Sequence, residues 1–193
     1  ELFMRSGLGI ALKNGLTAMP AHGTRFTMQC LAIALSDVHY DDAPPLGACL
    51  DCGACEQVCP MKAIDEEGFH PNTCLRAFMG KNAMPKRVME RMNKMLGCER
   101  CQYCCPHNAE QTFVTELPEA FAYERLLQDD VQEALALLGS NQQTGAKLKA
   151  HAAVMAAHEN RLDLLPLIEA AQDDPRELVS AAAKFAISRL QNG

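Results

Sequence analysis

A chain of 193 residues with 48% apolar and 22% charged side chains can bury the core of one or two domains, which excludes a disordered or low-complexity polypeptide. Its formal charge of −6 argues against a generally basic nucleic-acid binder and leaves room only for a local basic patch. Clean apolar runs such as Cys30 to Leu35 reach only six residues, far too short to span a bilayer.

Trp is absent and aromatics make up only 5% of the chain, so the core must be built from Ala, Leu, Met and Ile, which suits helices better than a β-sandwich. No signal peptide is visible. Glu1 is not a natural start, so the sequence reads as a segment of a longer chain, and an upstream targeting sequence stays open.

Residues 1 to about 45 form a mixed segment. Gly7-Leu8-Gly9 reads as a turn, because a dinucleotide fingerprint would need a third glycine in a strand–turn–helix context. Lys13-Asn14-Gly15 is a second turn, and Thr24 to Leu35 is predicted to be a buried strand, with Cys30 inside it as a small hydrophobe. Asp41-Asp42-Ala43-Pro44-Pro45 marks a break.

Nine of the ten cysteines fall between Cys49 and Cys105, many in tight C-x-x-C steps. Neighbours that close rarely pair as disulfides with one another and commonly share a metal, which requires a reducing compartment. The first motif is Cys49-x2-Cys52-x2-Cys55-x3-Cys59-Pro60. Two-residue steps wrap three thiolates around one [4Fe–4S] cluster, and the x3 step before proline sends the fourth toward a second cluster. Zinc sites instead use paired C-x2-C arms.

The second motif is Cys98-x2-Cys101-x3-Cys105-Pro106. Aligning the two Cys-Pro ends puts Met95 opposite Cys49, so one thiolate is missing and Cys74 is the candidate to supply it. Exchange of the fourth ligands then predicts one cluster on Cys49, Cys52, Cys55 and Cys105, and another on Cys59, Cys74, Cys98 and Cys101. Cys104 could instead complete a C-x2-C-x2-C run with Cys98 and Cys101, but that leaves Cys74 redundant, so Cys104 is read as a non-ligand.

Between the motifs, Pro85 to Leu96 is predicted to be a short helix, with Val88, Met92 and Met95 at helical spacing. The stretch from Cys74 to Arg100 carries Arg76, Lys81, Lys86, Arg87, Arg91, Lys94 and Arg100 against Glu90 and Glu99. Two readings fit it: a face for a phosphate-bearing partner, or a solvated face that balances the negative clusters. His107 follows the second Cys-Pro, where it can tune a cluster, touch a cofactor or simply fill space.

Residues 118 to 193 are helical by pattern. Asp130 is placed to cap a helix ending near Leu138 with Gly139 as its stop; further helices run from Ala146 to His158 and from Leu162 to Ala171. The last opens on Asp174-Pro175-Arg176-Glu177 as N-cap, N1 proline and capping-box glutamate, with an apolar face of Leu178, Ala181, Ala182, Phe185 and Leu190. Short alanine-rich helices in consecutive pairs predict stacked hairpins. His151 and His158 read as surface or packing histidines, and no Ser–His–Asp set, phosphate loop or carboxylate pair stands out, so no catalytic residue is assigned.

The order Arg5-Ser-Gly-Leu-Gly9, Lys13-Asn14-Gly15, the two cysteine motifs with Cys74 between them, Gly97-Cys98, Cys105-Pro106-His107-Asn108 and Leu138-Gly139-Ser140-Asn141 resembles the epoxyqueuosine reductases. The resemblance implies an α+β protein: the remnant of a corrinoid-binding α/β domain over 1–45, a ferredoxin-like double [4Fe–4S] domain over 46–110, and HEAT-like α-helical hairpins over 111–193. It further implies cobalamin as a second cofactor, with Lys13, Asn14 and His107 as corrinoid-binding residues, and an electron-donor protein such as a flavodoxin or ferredoxin. The implied activity is a cytoplasmic, non-membrane oxidoreductase that passes single electrons through the clusters to a corrinoid and reduces epoxyqueuosine in tRNA. The alternatives are a ferredoxin-like electron-relay subunit or a corrinoid reductase for another substrate. The chain departs from the resemblance at His107, where an aromatic is common, and at Leu75-Arg76-Ala77-Phe78, which fits the wider set of relatives better.

The two alignments of the second motif are separable. Cys74→Ser is expected to abolish one cluster signal in the electron paramagnetic resonance spectrum of the reduced protein, whereas Cys104→Ser leaves both. The opposite pattern would show that Cys104 is the ligand.

Overall fold

A computed structural model describes residues 2–34, 37, 47–112, 116–138 and 143–192. In chain order the helices and strands are α1 (Leu2–Arg5), β1 (Ile10–Ala11), β2 (Thr17–Ala18), α2 (Ala54–Val58), β3 (Ile64–Asp65), β4 (Gly68–Phe69), α3 (Leu75–Met79), α4 (Lys86–Met89) and α5 (Arg100–Tyr103). These are followed by α6 (Tyr123–Leu127), α7 (Gln132–Leu138), α8 (Gly145–His158), α9 (Leu165–Ala170) and α10 (Glu177–Asn192). Among the described residues the fold is helix-rich with two small sheets. No helix among the described residues is long and apolar enough to cross a membrane.

The chain divides into two compact units, one from Glu1–His70 with Glu99–Phe113, the other from Pro71–Cys98 with Val114–Gly193. In the first unit, β1 and β2 pair antiparallel, with Ile10 opposite Ala18 and Ala11 opposite Thr17. The expected Lys13-Asn14-Gly15 turn closes this hairpin: Asn14 Oδ1 accepts the Leu16 N–H at 3.1 Å, and Leu12 N–H donates to the Leu16 carbonyl at 2.9 Å. Ile10, Leu12 and Ala18 make a small buried core against which Cys49 and Cys105 pack. β3 and β4 form a second antiparallel hairpin, with Ile64 opposite Phe69.

The two Cys-Pro steps adopt the same local form. Helix α2 opens on the Gly53 carbonyl and ends at Cys59, which is extended (φ −65°, ψ 114°). Helix α5 is likewise one turn long, and Cys105 beyond it is extended (φ −77°, ψ 124°) before Pro106 starts a 3₁₀ turn. Proline clashes with a helical residue before it, which explains both exits. Helices α2 and α5 pack on each other.

In the second unit, α8 is the central element, buried continuously from Leu148 to Ala157 and packed against α6 and α10. Thr144 caps it, its Oγ1 accepting the Lys147 N–H at 3.4 Å. Three polar side chains of α8 reach carbonyls between the cysteine motifs. Lys147 Nζ donates to Gly80 at the end of α3 (2.6 Å), His158 Nε2 to Met89 at the end of α4 (2.7 Å), and His151 Nδ1 to Met95 (3.0 Å). The first satisfies a carbonyl that a helix leaves unpaired at its C-terminus, and the second adds to the Met92 N–H bond on the Met89 carbonyl. Lys149, also buried, is compensated by Asp129 (2.7 Å) and Asp174 (3.3 Å), both of which also bind Arg176.

Several expectations need correction. Thr24 to Leu35 is not a buried strand: no described residue from Arg25 to Ala34 lies in one, Cys30 is exposed, and Leu31 and Ile33 are 87% and 70% exposed. A strand needs a ladder partner, and among the described residues this run has none. The helix from Pro85 stops at Met89, where Arg91 and Met92 N–H turn to i−3 carbonyls; Val88, Met92 and Met95 are buried as expected. Asp130 accepts from Arg125 Nε at 2.7 Å instead of capping α7.

Helix α10 begins at Glu177, with Asp174 Oδ1 taking the Arg176 N–H. Its buried face is Leu178, Val179, Ala182, Ala183, Ala186 and Leu190; Ala181 is exposed and Phe185 half-buried, because the helix turns toward α8 and α9. Of the two readings of His151, packing holds, since the side chain is fully buried. The helices over 145–158 and 162–170 match expectation, whereas the 41–45 break and the Gly139-Ser140-Asn141 stop lie outside the described residues.

His151 carries a pH dependence. Its Nδ1 donates to Met95, the buried Nε2 has no partner among the described residues, and burial pushes its pKa down to about 4, helped by the charges of Arg76 and Lys147. A folded pKa below the unfolded value of about 6.5 means that the unfolded chain binds the proton better between those limits. Stability is therefore complete above pH 6.5 and falls as the pH drops toward 4. Between pH 7 and pH 5 the loss is expected to be about 2 kcal/mol. Denaturant unfolding at both pH values should show that His151→Gln lacks this increment.

Candidate metal centre

All ten cysteines are free thiols. In the first unit a cavity is lined by Cys49, Cys52, Cys55 and Cys105 together with Leu12, Lys13, Asn14 and His107. The hairpin core beneath Cys49 and Cys105 supplies an apolar wall. Four thiols converging on one apolar-backed cavity fit a sulfur-ligated cluster. Among the described residues, no group of three or more His, Cys, Asp or Glu side chains is drawn together tightly enough to hold a single metal ion.

The thiols sense one another. Burial raises the pKa of Cys55, with further increments from Cys104 and Cys49. Cys105 is raised by burial and then by Cys49 and Cys52, and Cys104 by burial and then by Cys105 and Cys52. Bound iron would reverse this, since thiolates ionise to meet a cation. Cys104 is not among the residues lining the cavity; its Sγ donates to the Cys101 carbonyl at 3.6 Å.

Lys13 and Asn14 hold the loops around the cavity. Lys13 Nζ pairs with Asp51 at 3.0 Å and Glu56 at 2.7 Å, which raises its pKa and ties the hairpin to the loop carrying Cys52 and Cys55. Asn14, buried, donates from Nδ2 to the Cys101 carbonyl at 3.3 Å. His107 lies against the same cavity, and its buried Nε2 has no hydrogen-bond partner among the described residues.

The remaining predicted ligands have their own local settings. Cys59 Sγ accepts the Ala63 N–H at 3.2 Å. Cys74, extended, precedes α3, with its carbonyl taking the Ala77 and Phe78 N–H groups. Cys98 Sγ lies 3.6 Å from Asn93 Nδ2. In the basic stretch Arg76, Lys81, Lys86, Arg87 and Arg91 are exposed; Lys81 and Arg87 lie over the Phe78 ring at 4.6 and 5.4 Å, and Lys86 pairs with Glu90 at 3.8 Å.

Sequence reasoning missed the side chains that fasten the second motif. Buried Asn108 donates from Nδ2 to the Gln102 carbonyl (2.8 Å) and Thr24 Oγ1 (3.0 Å), and its Oδ1 accepts the Thr24 N–H (2.7 Å). Gly23 allows this: its φ is +53°, and a Cβ there would lie 2.0 Å from Asn108 Oδ1. Arg25 adds an ion pair with Glu99 at 2.7 Å. An asparagine two residues after a Cys-Pro step was the one available signal.

These loops, the shared cavity and the apolar wall define an iron–sulfur protein, and residues 48–108 match the 4Fe-4S double cluster binding domain. Over nearly its whole length the chain is similar to epoxyqueuosine reductases. It is 28% identical over 200 residues to the epoxyqueuosine reductase of Staphylococcus aureus, which covers 96% of this chain and 52% of the relative. The Lactococcus garvieae enzyme is 26% identical, over 97% of this chain and 57% of its own length. The chain spans about half the length of the curated relatives it matches. The fold is that of solved epoxyqueuosine reductases: one from Bacillus subtilis superposes with a TM-score of 0.76 at 20% identity, over 98% of this chain and 54% of that one. Another, solved with an epoxyqueuosine-modified tRNA-Tyr stem loop, also gives 0.76, at 19% identity over 98% and 54%.

Asn108 is the most heavily bonded side chain of the second motif. Asn108→Ala removes a donor and an acceptor from a buried position and is expected to cost about 2–3 kcal/mol. Anaerobic thermal unfolding and the rate at which the cluster absorbance bleaches in air should both show the loss.

Proposed function

We propose that this chain is the electron-delivering part of a cobalamin-dependent reductase that acts on epoxyqueuosine in tRNA. The single observation that carries the reading is the extent of the similarity, which covers 96% of the chain and therefore runs through the hairpin and the C-terminal helices as well as the cysteine loops. A ferredoxin-type relay would need only the loops.

Two [4Fe–4S] clusters are assigned, one to Cys49, Cys52, Cys55 and Cys105 and the other to Cys59, Cys74, Cys98 and Cys101. The support is the spacing of the two motifs and the span of the double-cluster match, which includes all eight. The organisation is read as a corrinoid-domain remnant over 1–45, a ferredoxin-like domain over 46–110 and HEAT-like hairpins over 111–193. Lys13, Asn14 and His107 are the residues of this chain read as holding the corrinoid beside the first cluster, supported by their place on the cavity that its four thiols share.

A corrinoid supplies a low-valent metal able to reduce a strained carbon–oxygen bond. Opening and removing the epoxide takes two electrons and two protons, leaves a carbon–carbon double bond and releases water. This chain's residues keep the clusters in place: the Lys13 ion pairs and the Asn14 bond to Cys101 tie the hairpin to both cysteine loops. The exposed basic side chains from Arg76 to Arg91 would meet the tRNA backbone, so binding weakens with salt. A flavodoxin or ferredoxin is the class of electron donor, and the cytoplasm the compartment.

Anaerobic protein from its native host is expected to contain about eight iron and eight sulfide per chain and to carry cobalamin. With a low-potential reductant it should convert epoxyqueuosine to queuosine in tRNA. Neutralising Lys86, Arg87 and Arg91 together is expected to weaken tRNA binding and leave iron content unchanged. Cobalamin without tRNA turnover would redirect the reading to another substrate, and iron without cobalamin would reduce the protein to an electron relay.

A further inference from the structure

Asn93 is not explained by packing. It lies between buried Met92 and Met95, yet its own side chain turns toward Cys98, with Nδ2 3.6 Å from Sγ. The same Nδ2 reaches the Arg91 carbonyl at 3.5 Å. That carbonyl can only accept, so the nitrogen, not the oxygen, is the amide atom directed at the sulfur.

The segment around it is held from both ends. His158 Nε2 binds the Met89 carbonyl at 2.7 Å, and His151 Nδ1 binds the Met95 carbonyl at 3.0 Å. Between these anchors the chain leaves α4 through tight bonds from Arg91 N–H to Val88 and from Met92 N–H to Met89. Cys98 follows Gly97, whose φ of +141° is a conformation that L side chains rarely adopt. The donor is thus carried on backbone that α8 secures on both sides, and the acceptor directly follows this glycine turn.

We propose that Asn93 is a positioning residue that raises the reduction potential of the cluster Cys98 ligates, by donating its amide N–H to the Cys98 sulfur. The inference rests on the reading of Cys98 as a ligand. Reduction adds a negative charge to a cluster already bounded by thiolates, and a hydrogen bond to a ligand sulfur stabilises that added charge. Cys59 takes its N–H from the Ala63 backbone, which no side-chain change removes; at Cys98 the donor is a side chain and can be altered by one substitution.

The test is a redox titration of the anaerobic, iron-loaded chain monitored by electron paramagnetic resonance. Asn93→Leu keeps the side-chain size and loses the donor; Asn93→Asp also adds a negative charge. Expected is a fall of about tenfold in the reduction equilibrium constant of one cluster in Asn93→Leu, about 59 mV for one electron, with a larger fall in Asn93→Asp. The other cluster's potential and the iron content should not change. Unchanged potentials in both variants would overturn the inference. So would loss of one cluster from both, which would make Asn93 a residue of assembly. Cys98→Ser tests the underlying reading separately: if it retains both clusters, the ligand assignment fails, whatever Asn93 does.

Discussion

A residue that precedes proline is driven out of the helical region, because the ring collides with its backbone and Cβ. Cys59 and Cys105 both stand in that position, both are extended, and each follows a one-turn helix. Three thiols can then sit in a loop and the first turn of a helix, and the fourth is carried away from them. Because α2 and α5 pack together, the exit of the second motif brings Cys105 onto the hairpin core already covered by Cys49. The small strands β1 and β2 exist to make that apolar wall; their tip supplies Lys13 and Asn14, which fasten both cysteine loops.

The second unit solves a different problem. The segment from Cys74 to Cys98 has only two short helices of its own, each ending on carbonyls without intrahelical partners. Helix α8 supplies donors for them through Lys147 and His158, and His151 takes the Met95 carbonyl beyond. A helix this deeply buried would ordinarily be apolar all round. Here its polar residues are tolerated because each has a fixed carbonyl or carboxylate opposite, Lys149 resting on Asp129 and Asp174. The alanines around them let α6 and α10 approach closely. In this view the C-terminal helices stiffen a cluster-binding segment, whatever else they contact.

Placing the site on stiffened loops has a chemical consequence. Cluster potentials respond to hydrogen bonds at sulfur and to local charge. Residues outside the cysteine motifs supply such groups here: Asn93 near Cys98, the Ala63 amide at Cys59, and Lys13 between Asp51 and Glu56 beside Cys52 and Cys55. The motifs supply the thiols, and the surrounding fold supplies the hydrogen bonds and charges next to them.

The cysteine spacing, the two Cys-Pro steps, the Lys13-Asn14-Gly15 turn and the helices over 145–158 and 162–170 were legible in the sequence by itself, because each follows from sterics or periodicity within a few residues. Local pattern failed where partners decide. Thr24 to Leu35 has the composition of a strand, but among the described residues nothing pairs with it, and Thr24 is taken instead by Asn108, 84 residues away. Helix α10 has several faces of similar apolarity, and only contact with α8 and α9 buried Val179, Ala183 and Ala186 in preference to Ala181. Asn93 carries no signal of its own, and Asn108 and Gly97 are marked only by their place beside the second motif. Their roles arise from atoms brought near by the fold, which is why tertiary structure alone decided which side chains attend the cysteines that the sequence had already assigned to iron.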